Sequence, residues 1–335
     1  MRTSMRDIAK ALDLSIATVS RALAGNAKVK PETVQRIKAK AAELGYEPDA
    51  ALNALNAYRE GRRKSQGYHG VIAWLTHFPD PEGWKTNWTS LQYYKAMQRL
   101  APHMGYKVEP FWIHPEKMPA DRMDQILRSR GIRGIVLPSF PEGVEEMVFD
   151  FSHYSVVAIS ETVLQPRVHS VQKSAFFDIR MVVKELATLG YRRPLLAVHT
   201  PYHQGMHGVH EGAFMMSTQE LMGHSGSTIH ARRELLGHSI EQFVSEHEID
   251  VVVSTVKERY TTWQNPVSLP WVSLNLHPDQ DRGAGVVHEG DQIPKVALEH
   301  LISMLHRGEV GLPAYPIVMR LQGIWHRGDL NSLIQ

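Results

Sequence analysis

From Gly70 onward the chain alternates short apolar, β-branched runs with longer stretches of helical periodicity. "GVIAWLT", "IRGIVLPS", "YSVVAIS", "RRPLLAVH", "IDVVVST" and "LPWVSLN" are bounded by turn signals, and segments such as "WTSLQYYKAMQRLAPHMG" and "FFDIRMVVKELATLG" lie between them. A strand that is apolar at every position is buried on both faces, and alternation of strand and helix on this scale means parallel sheets covered by helices. About 265 residues of this pattern suit either one large sheet or two linked ones.

The first sixty residues follow a different rule. "MRDIAKALDL" sets Ile8, Ala9 and Leu12 on one helical face, and only Asp13 and Leu14 separate it from "SIATVSRALAGN". The second stretch opens on Ser15, spaces Ile16, Val19 and Leu23 as a helix does, and stops at Gly25, which predicts a short capped helix. Two short helices joined so tightly read as a helix-turn-helix. Asp13 occupies the turn, where a left-handed backbone is wanted and aspartate tolerates one. "PETVQRIKAKAAELG" predicts a third helix, with Pro31 in its first turn, Val34, Ile37, Ala41 and Leu44 on one face, and Gly45 at its end.

Charge divides the chain in the same way. Residues 1–64 hold 13 Lys/Arg against 7 Asp/Glu, a balance of +6, within a chain whose net charge is +2. A basic head on a mildly acidic body points to a polyanion as the head's partner. In a helix-turn-helix the second helix presents its N-terminal residues to base edges in the major groove. Ile16 and Ala17 suit thymine methyl groups, Arg21 suits a guanine edge or a phosphate, and Ser15, Thr18 and Ser20 suit phosphates.

The stretch from Met5 to Leu55 resembles the N-terminal region of the LacI/GalR family of bacterial transcription regulators, through its "ATVSRAL" core and "LGYEP" exit. The resemblance implies that Ile16, Ala17 and Arg21 read bases and that Lys28 lies near the DNA backbone. It also implies a hinge helix after Pro48, ordered when two copies meet in the minor groove, with Asn53 among its DNA contacts and Leu55 as the wedge. That segment favours helix in composition but is too short to be stable alone. Asp13 stands where the family commonly has glycine, Lys30 where it has a capping Ser/Thr, and Leu52 where it often has Ala. For the body the resemblance implies a type I periplasmic-binding-protein-like α/β domain of two parallel-sheet lobes around an effector cleft. The expected division is a helix-turn-helix domain over 1–47, a hinge helix and basic linker over 48–67, and a two-lobed effector-binding and dimerisation domain over 68–335. Lobe one is expected near 68–166 and 291–320, and lobe two near 167–290 and 321–335.

Ligands of such sheets bind beyond the carboxyl ends of the strands. The residues expected there are Trp84, Asn87, Trp88, Ser139, Glu161, His199, His203, His210, Lys257 and Asn275. Trp84 and Trp88 offer rings that stack on a sugar face, although an interface role suits them equally. Val209 and Lys257 stand where the family often has arginine and aspartate, and Ser174 replaces another frequent aspartate. These departures leave an acidic sugar and a neutral one both open as effector. The histidines at 199, 203, 207 and 210 raise a metal, but neither cysteine nor a nearby carboxylate pair supports one, so no metal and no cofactor is expected.

The chain has no cysteine, which excludes a disulfide framework and agrees with a reducing cytoplasm. It shows no apolar run of membrane-spanning length and no signal-peptide stretch at its start. No P-loop, nucleophile elbow or zinc-protease spacing appears. The expectation is therefore a cytoplasmic, homodimeric, DNA-binding regulator, most simply a repressor, that binds operator DNA and a sugar or sugar-acid effector without turning it over. A helix-turn-helix fused to a sugar-modifying enzyme is the alternative.

Overall fold

The computed structural model describes residues 5–15, 18–19, 22, 31–44, 70–141, 144, 146–163, 165–199, 204–231, 243–254, 269–276 and 283–329. In the head, α1 (Met5–Leu12) and α2 (Pro31–Glu43) flank the segment that begins at Ser15. Asp13 adopts φ +53°, the left-handed turn expected of it. Ser15 caps the start of that segment: its Oγ accepts from Thr18 N at 3.0 Å, and its carbonyl accepts from Val19 N at 3.1 Å. Ile8, Ala9, Val19, Ala22, Ile37 and Ala41 form the buried core, with Leu12, Leu14, Val34 and Leu44 packed against it. Among the described residues, the apolar positions read from the sequence for α1 and α2, together with Val19, are the ones that form this core; Ile16 and Leu23 lie outside the described residues.

The body contains two six-stranded sheets. The first runs in the order β11 (Val318–Leu321), β5 (His169–Lys173), β4 (Ser155–Ala158), β3 (Gly134–Leu137), β1 (Gly70–Thr76), β2 (Tyr106–Trp112), and every pair in it is parallel. The second runs β12 (Ile324–His326), β10 (Ala284–Val287), β9 (Trp271–Leu276), β8 (Val251–Ser254), β6 (Pro194–His199), β7 (Ser227–Ala231). It is parallel except for β12, which pairs antiparallel with β10 at the edge. Alternate residues of each strand feed opposite cores. Ile72 and Trp74 of β1 join α3 (Trp88–Leu100) and α7 (Gln292–Arg307) on one face. Ala73 and Leu75 join α4 (Ala120–Ser129) on the other. In the second sheet, Leu196 and Val198 pack under α5 (Ala175–Thr188) and α6 (Gln204–Met222), while Leu195 and Ala197 face the opposite side.

Three segments carry the chain between the sheets: after Lys173, after Val287, and between Leu321 and Ile324. His169–Lys173 pairs with β4 and β11, so the first crossover follows Lys173 and not residue 166 as expected. The run "HSVQK" mixes polar residues among apolar ones because β5 lies beside the short strand β11, near the sheet's edge, which hid it from a reading based on continuous apolar runs.

Candidate DNA-contacting head and ligand cleft

Ser15 and Thr18 stand in the segment between α1 and α2, and their hydroxyls lie 2.8 Å apart. Capping thus occupies Ser15 Oγ in the free chain. Ile16, Ala17, Ser20, Arg21, Lys28, Asn53 and Leu55 lie outside the described residues, as do His203 and Lys257.

In the body the strands' carboxyl ends gather a polar set. Ser139, after β3, donates to Ser160 Oγ at 3.0 Å, and Ser160 is linked to Thr162 at 3.0 Å. Thr162 Oγ1 accepts the backbone N–H of Phe140 at 2.9 Å, so this hydroxyl chain ties the ends of β3 and β4 together. Glu161 sits within it. Burial pushes the Glu161 carboxyl up, while His210, Arg320 and Lys173 pull it down and Asp178 adds to the rise. The fold therefore brings Glu161 and His210, both named from the sequence, into one electrostatic neighbourhood. Asn275 belongs to it as well, because its Oδ1 accepts a hydrogen bond from Lys173 Nζ. Burial holds the Lys173 ammonium down at about 8, against the pull of Asp178 and Glu161.

Asp178 is a buried carboxylate on α5 whose Oδ1 accepts from Gly323 N at 2.8 Å. Its Oδ2 lies 2.9 Å from His288 Nε2. Burial pushes His288 down, opposed by Asp178 and reinforced by Lys173. A cavity of about 250 Å³ opens beside these crossovers, lined by His288, Glu289, Gln292, Leu321 and Gln322 among others. His77, directly after β1, packs edge-on to Phe140 with ring centroids 4.3 Å apart. Burial lowers it to about 4, so it is neutral, and neither ring nitrogen has a partner among the described residues.

Some expected positions do other work. Trp84 is wholly buried, packed between Trp74 at 5.6 Å and Tyr94 at 4.8 Å between ring centroids. The 3-10 turn Gly83–Thr86 tucks it into the core of lobe one, so it offers no stacking face and the sequence expectation is corrected. Asn87 caps α3, its Oδ1 accepting from Ser90 N at 3.0 Å. Trp88 is half-buried as the first residue of α3, and His199 ends β6. Among the described residues no group of three or more His, Asp or Glu is placed to hold a metal.

Sequence reasoning missed Lys173, Asp178 and His288. One signal was present: Asp178 is spaced four residues before Val182, on the buried stripe of α5 with Ile179, Val183 and Leu186. A charge on an apolar stripe needs a partner.

Residues 4–49 match the family model of bacterial regulatory proteins of the lacI family. A curated relative from Streptomyces limosus, described as an uncharacterized HTH-type transcriptional regulator in the aml 5' region, is 29% identical over 206 residues, covering 58% of this chain and 52% of its own. The chain thus spans about half the length of that relative. The lac repressor dimer, solved bound to operator and the anti-inducer ONPF, is similar over 99% of both chains with TM-score 0.55 at 12% identity. The lacI-family regulator CCPA from Weissella paramesenteroides, solved with bound glucose, gives TM-score 0.56 at 13% identity over 78% of this chain and 99% of its own. The regulator CelR, in complex with cellobiose, gives 0.51 at 13% identity over 98% of this chain and 100% of its own. Together, the head and the paired sheets define a helix-turn-helix domain carried on a two-lobed α/β body. The head is similar to the lacI family of bacterial regulatory proteins over residues 4–49, and the body shares the fold of these solved structures.

Proposed function

We propose that this chain is a sequence-specific DNA-binding transcription regulator of the repressor kind, acting as a homodimer in the cytoplasm. Its operator affinity answers to a small sugar-like effector held between the two lobes and released unchanged. The observation that carries the reading is the lacI-family match over residues 4–49, in a chain whose described residues from Gly70 onward form two linked α/β lobes. Relatives of the same fold were solved with operator DNA, glucose and cellobiose, which supports both partners. Ser15, Ile16, Ala17, Thr18, Ser20 and Arg21 are the proposed groove-facing set, Lys28 a backbone contact, and Asn53 and Leu55 the minor-groove contacts. Binding is linked to DNA affinity through the lobe arrangement, so that each ligand changes the affinity for the other.

The cleft chemistry favours a neutral sugar over an acidic one. Among the described residues around Glu161, the cations Lys173 and Arg320 match the carboxylates Glu161 and Asp178 in number, with the imidazole of His210 beside them. Hydroxyl groups of a sugar suit such mixed donors and acceptors. Calorimetry with neutral hexoses, neutral disaccharides and uronates tests this. The expected result is binding of a neutral sugar, weakened about 10–100-fold by Glu161→Gln, the loss of one hydrogen bond to a charged acceptor. Binding of uronates alone would overturn the neutral-sugar assignment, and binding of no sugar would overturn the effector reading.

A further inference from the structure

We propose that Lys173 and Asn275 form an interlobe latch: a hydrogen bond from the last residue of a lobe-one strand to a lobe-two strand that sets how far the two lobes part. Lys173 ends β5 in the first sheet and Asn275 lies on β9 in the second, 102 residues away. Their side chains meet where the chain first crosses from one sheet to the other. The neighbouring crossovers are tied down independently. Ser174 N donates to Leu321 O at 2.9 Å, and Asp178 accepts from Gly323 N while lying 2.9 Å from His288. The hinge is thus fastened at its base, and the Lys173–Asn275 bond reaches across it from strand to strand.

A partly buried ammonium makes this contact bistable. With the lobes together, Lys173 has lost part of its water and is held by Asn275 Oδ1, with the carboxylates of Asp178 and Glu161 nearby. With the lobes apart, water takes Asn275's place, and a half-open state would leave a buried charge short of partners, which is the costliest arrangement. The geometry therefore favours two lobe settings over a continuum. An effector oxygen entering the cleft would compete with Asn275 for the ammonium. That consequence rests on the proposed effector function, whereas the latch itself does not.

The chain has no cysteine, so spin labels are placed by introducing two: Lys117→Cys in lobe one and Lys184→Cys in lobe two, both at exposed positions. Electron–electron distance measurements on the full chain, without DNA or ligand, should give a narrow distribution. Lys173→Met and Asn275→Ala should each broaden or shift it in the same direction, and the double variant should go no further than either single one. Asn275→Asp, which turns the bond into an ion pair, should narrow it. If Lys173→Met does not fold, the opposed responses of the two Asn275 variants decide the matter. Distributions superimposable on the parent in all variants would overturn the latch. Because neither DNA nor sugar is present, that outcome leaves the regulator reading standing.

Discussion

Ile37→Ala should abolish DNA binding by the full chain while leaving the two-lobed body folded. Ile37 is wholly buried in the head, where the core among the described residues has six buried side chains, three of them alanine. Removing three carbons from such a site costs about 2–5 kcal/mol, because the transfer free energy is lost and the cavity is only partly filled. A domain of under about fifty residues has little stability to spare. The head should therefore lose its fold, and with it the proposed groove-facing surface that includes Ser15 and Thr18. Ile37→Val, at about 0.5–1.5 kcal/mol, should keep measurable DNA binding at reduced thermal stability. Fluorescence anisotropy on labelled duplex, beside circular dichroism melts, separates the two variants. Parental affinity in Ile37→Ala would show that this core does not support the DNA surface.

Gly285→Ala should destabilise the body without touching the head. Gly285 lies in β10, paired with Ser273 of β9 on one side and His326 of β12 on the other. A Cβ built on it would stand 2.1 Å from the backbone oxygen of Ser273. No rotamer relieves a clash with backbone, so β9 and β10 must move apart, and Ser273 is itself buried. Overpacking of this kind costs about 3 kcal/mol. For a unit the size of the body that corresponds to a fall of roughly 6–12 °C in Tm. Calorimetric scans resolve it, and a body transition within about 2 °C of the parent would contradict the close approach. The glycine also accounts for the irregular register between Gly285 and Val287.

β10 illustrates what the sequence conceals. "AGVV" is four residues long and half of it is Ala-Gly, so it carries little strand propensity; its role comes from the neighbours that close on it. β2 escaped notice for a related reason: "YKVEPFW" alternates buried with exposed positions and contains Pro110, which an edge strand tolerates. The strands with near-continuous apolar runs, such as Gly70–Thr76 and Val251–Ser254, were legible because burial on both faces favours such a composition. In the head, Asp13 and Ser15 were legible because a left-handed turn and a helix cap each demand particular residue types.

The cleft was legible only in part. Glu161 and Asn275 follow from where strands end, which sequence periodicity reveals, whereas His210, expected in a loop after a strand, lies inside α6. Lys173 does not, because a lysine in "VQKSA" looks like any solvated charge until the fold places Asn275 against it. Trp84 went the other way: its proximity to a strand end suggested a ligand face, whereas its bulk and the turn at Gly83 send it into the core beside Trp74.

Whether the head reads a DNA sequence is tested most directly by selecting binding sites from a randomised duplex pool with the full-length chain. A dimeric regulator should enrich a two-fold-symmetric site, as one recognition helix per half-site requires. Repeating the selection with Arg21→Ala should relax the preference at one base pair in each half-site and lower affinity by about 1–3 kcal/mol. Equal weakening on every duplex would make Arg21 a phosphate contact. A pool that remains random after repeated rounds with the parent chain, at salt low enough for binding, would contradict sequence-specific recognition and with it the proposed function.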